Sequence, residues 1–208
     1  ATADSPQGPF TDHGKMFRSN EIGVQNSIDP SLLQYEGRNY LVWGSFRGIY
    51  VIELTADGLS IMSGAKKKRI AGTAFEAVYI HKHGDYYYMF ASIGSCCQGV
   101  KSTYKVVVGR SKKVWGPYKD KTGKPMLKNG YSLVIGANDH FVGNGHGSQI
   151  IQDDAGQDWL LYHGFSRSTP ENGRILLLDQ IKWDQEGWPY VEGGSPSYET
   201  QKAPVFNN

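Results

Sequence analysis

The chain has 208 residues, with 22 Lys and Arg against 20 Asp and Glu and a net charge of +2. That length suffices for one domain with a sizeable core, and the near balance of charge excludes the basic excess of a nucleic-acid binder. No apolar run approaches the roughly 18 residues that span a bilayer, so neither nucleic acid nor a membrane is an expected partner.

There are 26 glycines and 13 tyrosines, and aromatic residues make up 12% of the chain. Turn-rich, aromatic-rich sequence without long helical periodicity reads as all-β. The first residue is Ala1 and no signal-like apolar block follows it. The start reads as a processed or cut end, and the compartment is not legible from it.

The chain opens with Ser5-Pro6-Gln7-Gly8-Pro9-Phe10-Thr11-Asp12, which is echoed by Ser111-Lys112-Lys113-Val114-Trp115-Gly116-Pro117-Tyr118-Lys119-Asp120. The later copy closes a run of strands, whereas the first has almost nothing before it. Residues 1–20 therefore read as the end of a repeat unit. Asn26-Ser27-Ile28-Asp29-Pro30 then introduces a short strand over 31–35, a polar turn at Glu36-Gly37, an aromatic and aliphatic strand reaching Ser45, and a third strand over 48–54. The basic run Lys66-Lys67-Lys68-Arg69 reads as a solvated edge or turn.

A second unit begins at Thr73-Ala74-Phe75-Glu76-Ala77, with strands over 77–81, 83–92 and 104–110 and a turn at Gly84-Asp85. His81 and His83 place two imidazoles on one strand face, with no third ligand nearby in sequence. Cys96 and Cys97 are the only cysteines and are adjacent. Neighbours cannot close a long loop, so they read as two free thiols in a turn, a vicinal disulfide being the alternative. The stretch from Lys119 to Asn144 reads as an insertion. A third unit begins at Gly143-Asn144-Gly145-His146-Gly147-Ser148, with strands over 148–152, 155–164 and 174–183.

Units of several short strands repeating every 40 to 50 residues or so indicate the blades of a β-propeller. The units fall at about 21–72, 73–135 and 136–208. The residues entering the three hairpins are Asp29, Glu76 and His146. Equivalent positions in a propeller lie on one rim of its central channel, so two carboxylates and an imidazole are expected to converge there. Taken singly, Asp29 before Pro30 is a common turn residue, and His146 between glycines is a loop histidine. Glu76 among Phe75, Ala77 and Val78 is less ordinary, because a carboxylate in apolar surroundings needs a partner. Paired carboxyls are the machinery of glycoside hydrolysis, in which an inverting enzyme separates acid and base by about 6.5–9.5 Å to admit water. The acid must keep its proton near working pH. Glu76 has the neighbours for that role, and Asp29 would hold it and repel its negative charge.

At these residues the sequence resembles glycoside hydrolase family 43, and within it the endo-acting arabinanases. The matching stretches are Ser27-Ile28-Asp29-Pro30, Trp43-Gly44-Ser45-Phe46 with Gly48-Ile49, and Phe75-Glu76-Ala77. They continue through Ser95-Cys96-Cys97-Gln98-Gly99 with Ser102-Thr103-Tyr104, Gly145-His146, and Trp183-Asp184 with Gly187-Trp188-Pro189. The resemblance implies a five-bladed propeller, of which about three blades are present, and an inverting mechanism on α-1,5-linked arabinan or arabino-oligosaccharides. It implies Glu76 as general acid, with Asp29 tuning and orienting it. Asn26, Ser45 and Phe46 would line the sugar subsite, with Cys96 and Cys97 beside the cleft. Arg174 would meet sugar hydroxyls or, equally, be a surface strand arginine. His146 would bind a channel calcium ion, mostly through waters. A secreted or periplasmic setting goes with such an enzyme.

The family's general base is an Asp of the first blade, and no Asp here takes its place by motif; Asp4 and Asp12 lie in the blade-end segment. About two blades are expected to be missing, with open sheet faces that invite association. Completion is therefore expected from a homo-oligomer or a complementing N-terminal fragment. The competing readings are an exo-acting α-L-arabinofuranosidase or β-xylosidase, and a non-catalytic carbohydrate-binding fragment that uses Trp43, Phe46 and Tyr104 for stacking.

Overall fold

The computed structural model describes residues 1–207. Three antiparallel sheets follow one another along the chain. The first comprises β1 (Ser31–Tyr35), β2 (Arg38–Trp43), β3 (Ile49–Glu53) and β4 (Lys68–Ala71), paired in that order. The second comprises β5 (Glu76–His83), β6 (Tyr86–Ile93), β7 (Lys105–Ser111) and β8 (Ser132–Ile135), again in order. The third contains β9 (Phe141–Gly145), β10 (Ile151–Gln152), β11 (Asp158–Ser166), β12 (Arg174–Trp183) and β13 (Pro189–Tyr190). The single α-helix among the described residues, α1 (Ser19–Ile22), has four residues. The all-β expectation holds.

The second sheet is the middle layer, and its period-two pattern shows why. Along β6, Met89 and Ala91 pack toward the first sheet with Val42, Ile49 and Val51. Their neighbours Tyr88 and Phe90 pack toward the third sheet with Leu160, Tyr162 and Ile181. Along β7, Val107 joins the first cluster and Val106 and Val108 the second. A strand buried on both faces needs an unbroken apolar run rather than alternation, and Tyr86–Ala91 supplies one. Each such large side chain contributes about 1.5–3 kcal/mol on burial. A smaller cluster of Val24, Trp43, Ile52 and Leu54 fills the other face of the first sheet, where Phe17 and Ile22 cover it.

Turn chemistry fixes the registers. The β1–β2 hairpin pairs Tyr35 with Arg38 across Glu36 and Gly37, both at positive φ (49° and 72°), as a tight twisted hairpin requires. The β4 edge carries Lys68 and Arg69, both exposed, and charged side chains on an edge discourage pairing with another chain.

Three expectations need correction. The presumed insertion over 119–144 is structural: it supplies β8, the outer strand of the second sheet, and most of β9. The expected strand over 148–152 shrinks to Ile151–Gln152. The inner strand of the third sheet is instead split, β10 pairing with the start of β11 and β9 with its end. The break between them, 146–150, holds His146. Finally, Cys96 and Cys97 are joined in a vicinal disulfide and are not free thiols.

Candidate active site

Glu76 opens β5 and is buried, with 8% of its surface exposed. Both carboxyl oxygens are held. Ser45 Oγ donates to Oε2 at 2.8 Å, and the Tyr104 hydroxyl donates to Oε1 at 2.5 Å. Ser45 comes from the segment between β2 and β3, and Tyr104 ends the loop between β6 and β7, so two different layers fix one side chain. Burial pushes the Tyr104 hydroxyl far above the usual phenol range, and the Glu76 carboxylate adds to this, so it stays a donor. Tyr104 lies flat against Gly145, where any side chain would collide with the ring.

Asp29 reaches the same place from the first sheet. Its Oδ2 accepts the backbone N–H of Ala77, the residue after Glu76, at 3.2 Å. His146 reaches it from the third sheet: its backbone N–H donates to Ser92 Oγ at 2.8 Å, and Ser92 is paired with Glu76 across β5 and β6. Asp29, Ala77 and His146 share the wall of a hollow of about 230 Å³ with Pro30, Val78 and Gln149. Asp29 and His146 thus face one space. Glu76 is not in that wall but is tied to it through Ala77.

The backbone explains this offset. Five of the seven non-glycine residues at positive φ lie here: Asn26, Asp29, Phe46, Ala77 and His146, all at 50–55°. Each costs on the order of 1–3 kcal/mol and persists only where its surroundings hold it, which is common at functional sites. The left-handed positions of the three layers are Asp29, Ala77 and His146, so the true counterpart of Asp29 in the second unit is Ala77, one residue beyond Glu76. Spacing from the turn glycine cannot reveal that one-residue shift.

Of the other expected site residues, Asn26 and Phe46 are tied to this centre. Asn26 Nδ2 donates to the Ser45 carbonyl at 3.1 Å, and the Phe46 N–H donates to the Phe75 carbonyl at 2.9 Å. Phe46 is half-buried, whereas Trp43 and Tyr104 are each 1% exposed, so neither of these two offers a face for sugar stacking. The Cys96–Cys97 loop leaves the sheet directly after β6. Arg174 is exposed at the start of β12.

His163 on β11 was missed by sequence reasoning. Its ring lies 5.8 Å from Tyr104 and 6.3 Å from His146, and its buried Nδ1 has no hydrogen-bond partner. Burial pulls its pKa down to about 4, and the charges of Arg174 and His146 add to this. A polar side chain inside an apolar strand was its only sequence signal. A hollow of about 600 Å³ lies elsewhere, where Leu178 and Lys182 of the third sheet meet Glu192 and Tyr198, and holds none of these residues.

Calcium takes six to eight oxygen ligands. Among the described residues, His146 belongs to no group of three close His, Cys, Asp or Glu ligand atoms. One imidazole and one carboxylate in this hollow fall short of the oxygen set of a calcium ion ligated directly by protein, and no chemical step below runs through one.

The sequence model for glycosyl hydrolases family 43 matches residues 1–189. The chain belongs to this family. An extracellular exo-α-(1→5)-L-arabinofuranosidase of Cellvibrio japonicus is 38% identical over 205 residues, 90% of this chain and 58% of its own. An extracellular endo-α-(1→5)-L-arabinanase of Bacillus subtilis is 35% identical over 189 residues, 88% of this chain and 56% of its own. The chain thus spans less than two thirds of the length of these relatives. A Cellvibrio cellulosa α-L-arabinanase, solved with arabinohexaose, superposes with a TM-score of 0.82 at 35% identity, covering 92% of this chain and 65% of that one.

Proposed function

We propose that this family 43 chain forms part of an inverting hydrolase of α-1,5-linked arabinan, with Glu76 as its general acid. The observation that carries the proposal is the clamp on Glu76: Ser45 and Tyr104 fix both oxygens, and Asp29 fixes the next peptide. A general acid acts only from a defined position, and proton donation of this kind contributes roughly 10²–10⁴-fold. The Ser45 hydroxyl donates or accepts by rotation, so it accompanies the carboxyl in either protonation state. In this proposal Glu76 protonates the leaving glycosidic oxygen, and Asp29 orients it through Ala77. Asn26, Phe46, Arg174 and the Cys96–Cys97 loop shape the sugar subsites.

The three sheets act in this reading as blades of a five-bladed propeller, at about 21–72, 73–135 and 136–208. The general base is assigned to a completing blade, carried by a longer chain, a complementing fragment or another copy. Leu176 and Leu178 on β12 are 73% and 37% exposed and supply an apolar face for such an association. Light scattering at micromolar concentration tests it. Secretion is proposed because both curated relatives are extracellular, and a disulfide suits an oxidising compartment. Calcium beside His146 is proposed only as a hydrated ion; a melting temperature unchanged between calcium and chelator would remove it.

Digestion of linear arabinan with sizing of the products is the deciding experiment. Mixed oligomers establish endo action. Arabinose alone, or one short product, establishes exo action, which the 38% identity to an exo-acting relative favours as the second reading. Glu76→Gln is expected to abolish release while sparing binding. Full turnover in that variant would remove Glu76 from the role, and binding without release in the parent would mark a non-catalytic module.

A further inference from the structure

The proposed hydrolysis leaves unused a polar cluster between the second and third sheets, at the end of β5 away from Glu76. His81 and His83 stand two residues apart on β5, on the face that Tyr79 packs toward the third sheet. Asp158, the first residue of β11, meets them from the third sheet. One ligand atom from each of the three lies within 4.8 Å of the others, and His83 Nδ1 is 4.0 Å from Asp158 Oδ2. His81 lies five positions along β5 from Glu76, roughly 15 Å at strand rise, so this is not part of the hydrolytic centre.

Two independent observations mark the cluster. The first is its support. Trp183 Nε1 donates to Asp158 Oδ2 at 2.7 Å, and Gln152 Nε2 donates to Oδ1 at 3.2 Å. Each carboxylate oxygen keeps a second lone pair. The His83 ring stacks on the Trp183 indole at 3.7 Å, and the His81 ring lies nearly parallel to the same indole at 6.0 Å. One tryptophan therefore orients all three side chains, as outer partners do for metal-binding histidines and carboxylates. The second is charge. Asp158 is 7% exposed, and among the described residues no Lys or Arg forms an ion pair with it; His83 is its one partner of that kind. A carboxylate taken out of water is stabilised by hydrogen bonds and further by a cation beside it. The Tyr79 hydroxyl, buried without a hydrogen-bond partner, lies within reach of the same carboxylate charge.

We propose that His81, His83 and Asp158 form a divalent transition-metal site that ties the second sheet to the third. Two imidazole nitrogens and a carboxylate oxygen are a ligand set for zinc, and they suit other imidazole-binding metals better than hard, oxygen-seeking calcium. A tetrahedral zinc with bonds of about 2.0–2.1 Å sets its ligand atoms roughly 3.3 Å apart, so small side-chain rotations close the cluster. With ligands drawn from β5 and β11, binding adds directly to the stability of the folded chain.

The test is calorimetric titration of the chelator-treated, dialysed chain with zinc chloride, beside the double variant His81→Ala/His83→Ala. The expected result is about one zinc per chain with micromolar or tighter affinity, a higher melting temperature in excess zinc, and binding weakened about tenfold or more in the folded double variant. Cobalt(II) is expected to give the visible bands of a low-coordinate ion in the parent and none in the variant. Zinc binding no tighter than millimolar, or an undiminished equivalent in the folded double variant, overturns the proposal. The latter result would place the metal at other histidines, such as His146 and His163. His83 is partly exposed, and His83→Gln serves under the same two outcomes where the double variant does not fold. Arabinan hydrolysis enters neither readout, so failure here and failure of the hydrolase reading are distinguishable.

Discussion

Tyr104 and Glu76 meet at 2.5 Å, the phenol donating to the carboxyl from the end of the loop that carries the Cys96–Cys97 bridge. Their Cα atoms are held by different strands, β7 following Tyr104 and β5 opening on Glu76. The contact therefore sets the orientation of Glu76 independently of its own backbone.

Tyr104→Phe removes this hydrogen bond while keeping the ring packed against Gly145. A hydrogen bond to a carboxylate is worth about 1.5–3 kcal/mol, and misplacing a reacting group by about 1 Å costs up to roughly 100-fold in rate. In the completed enzyme, kcat on linear arabinan is expected to fall about 10- to 100-fold with little change in KM. Ser45→Ala should act in the same direction through the other oxygen. Steady-state kinetics check both; an unchanged kcat in both variants would show that the clamp is not needed.

Asp29→Asn keeps an acceptor for the Ala77 N–H but removes the charge, whereas Asp29→Ala removes both. If the geometry of the peptide matters most, Asn retains most of the stability and Ala loses about 1 kcal/mol or more. If the charge governs proton donation by Glu76, Asn already shifts the alkaline limb of the pH–rate profile, which reports ionisation of the general acid. Thermal melts and pH–rate profiles of the two variants separate these effects. We expect the second, with kcat reduced in both variants.

These contacts show what was legible in the sequence and what was not. The all-β class, the hairpin over 31–43 and the long strand Arg174–Trp183 follow from turn residues and apolar runs, which are local signals. Glu76 stood out because a carboxylate between Phe75 and Ala77 contradicts its surroundings. The one-residue offset between Glu76 and Ala77 was not legible, because it rests on left-handed φ at non-glycine residues, which the surrounding layers impose. Asp158 was equally hidden as a neighbour of His81 and His83, because it lies on another sheet and only packing brings it near.

Ala77→Gly tests the backbone argument. Ala77 holds φ at 51°, a conformation that glycine adopts without penalty. Relief of strain is partly offset by the greater freedom of glycine in the unfolded chain, about 0.4–1 kcal/mol. The net gain is expected to be about 1 kcal/mol or less, or roughly 2–4 °C in melting temperature for a chain of this size. Hydrolysis should fall, because the peptide joining Glu76 to Asp29 loses its constraint. A variant less stable by more than about 1 kcal/mol would show that Ala77 is not strained.

His163 gives a pH dependence of defined sign. Its pKa in the folded chain is about 4, against 6.5 for a free imidazole, chiefly because burial disfavours the charged ring. As pH falls through 6.5 the unfolded chain takes up a proton that the folded chain refuses, so protonation favours unfolding. This contribution is absent above about pH 6.5, destabilises the fold progressively as pH drops, and levels off below about pH 4. The free energy of unfolding, measured by denaturant titration between pH 4 and 7, is therefore expected to rise with pH more steeply in the parent chain than in His163→Gln. Glutamine places a neutral amide between Tyr104 and His146 and carries no titrating proton. Equal slopes in the two proteins would mean that the imidazole is solvated in the native state and that its packing against Tyr104 does not desolvate it.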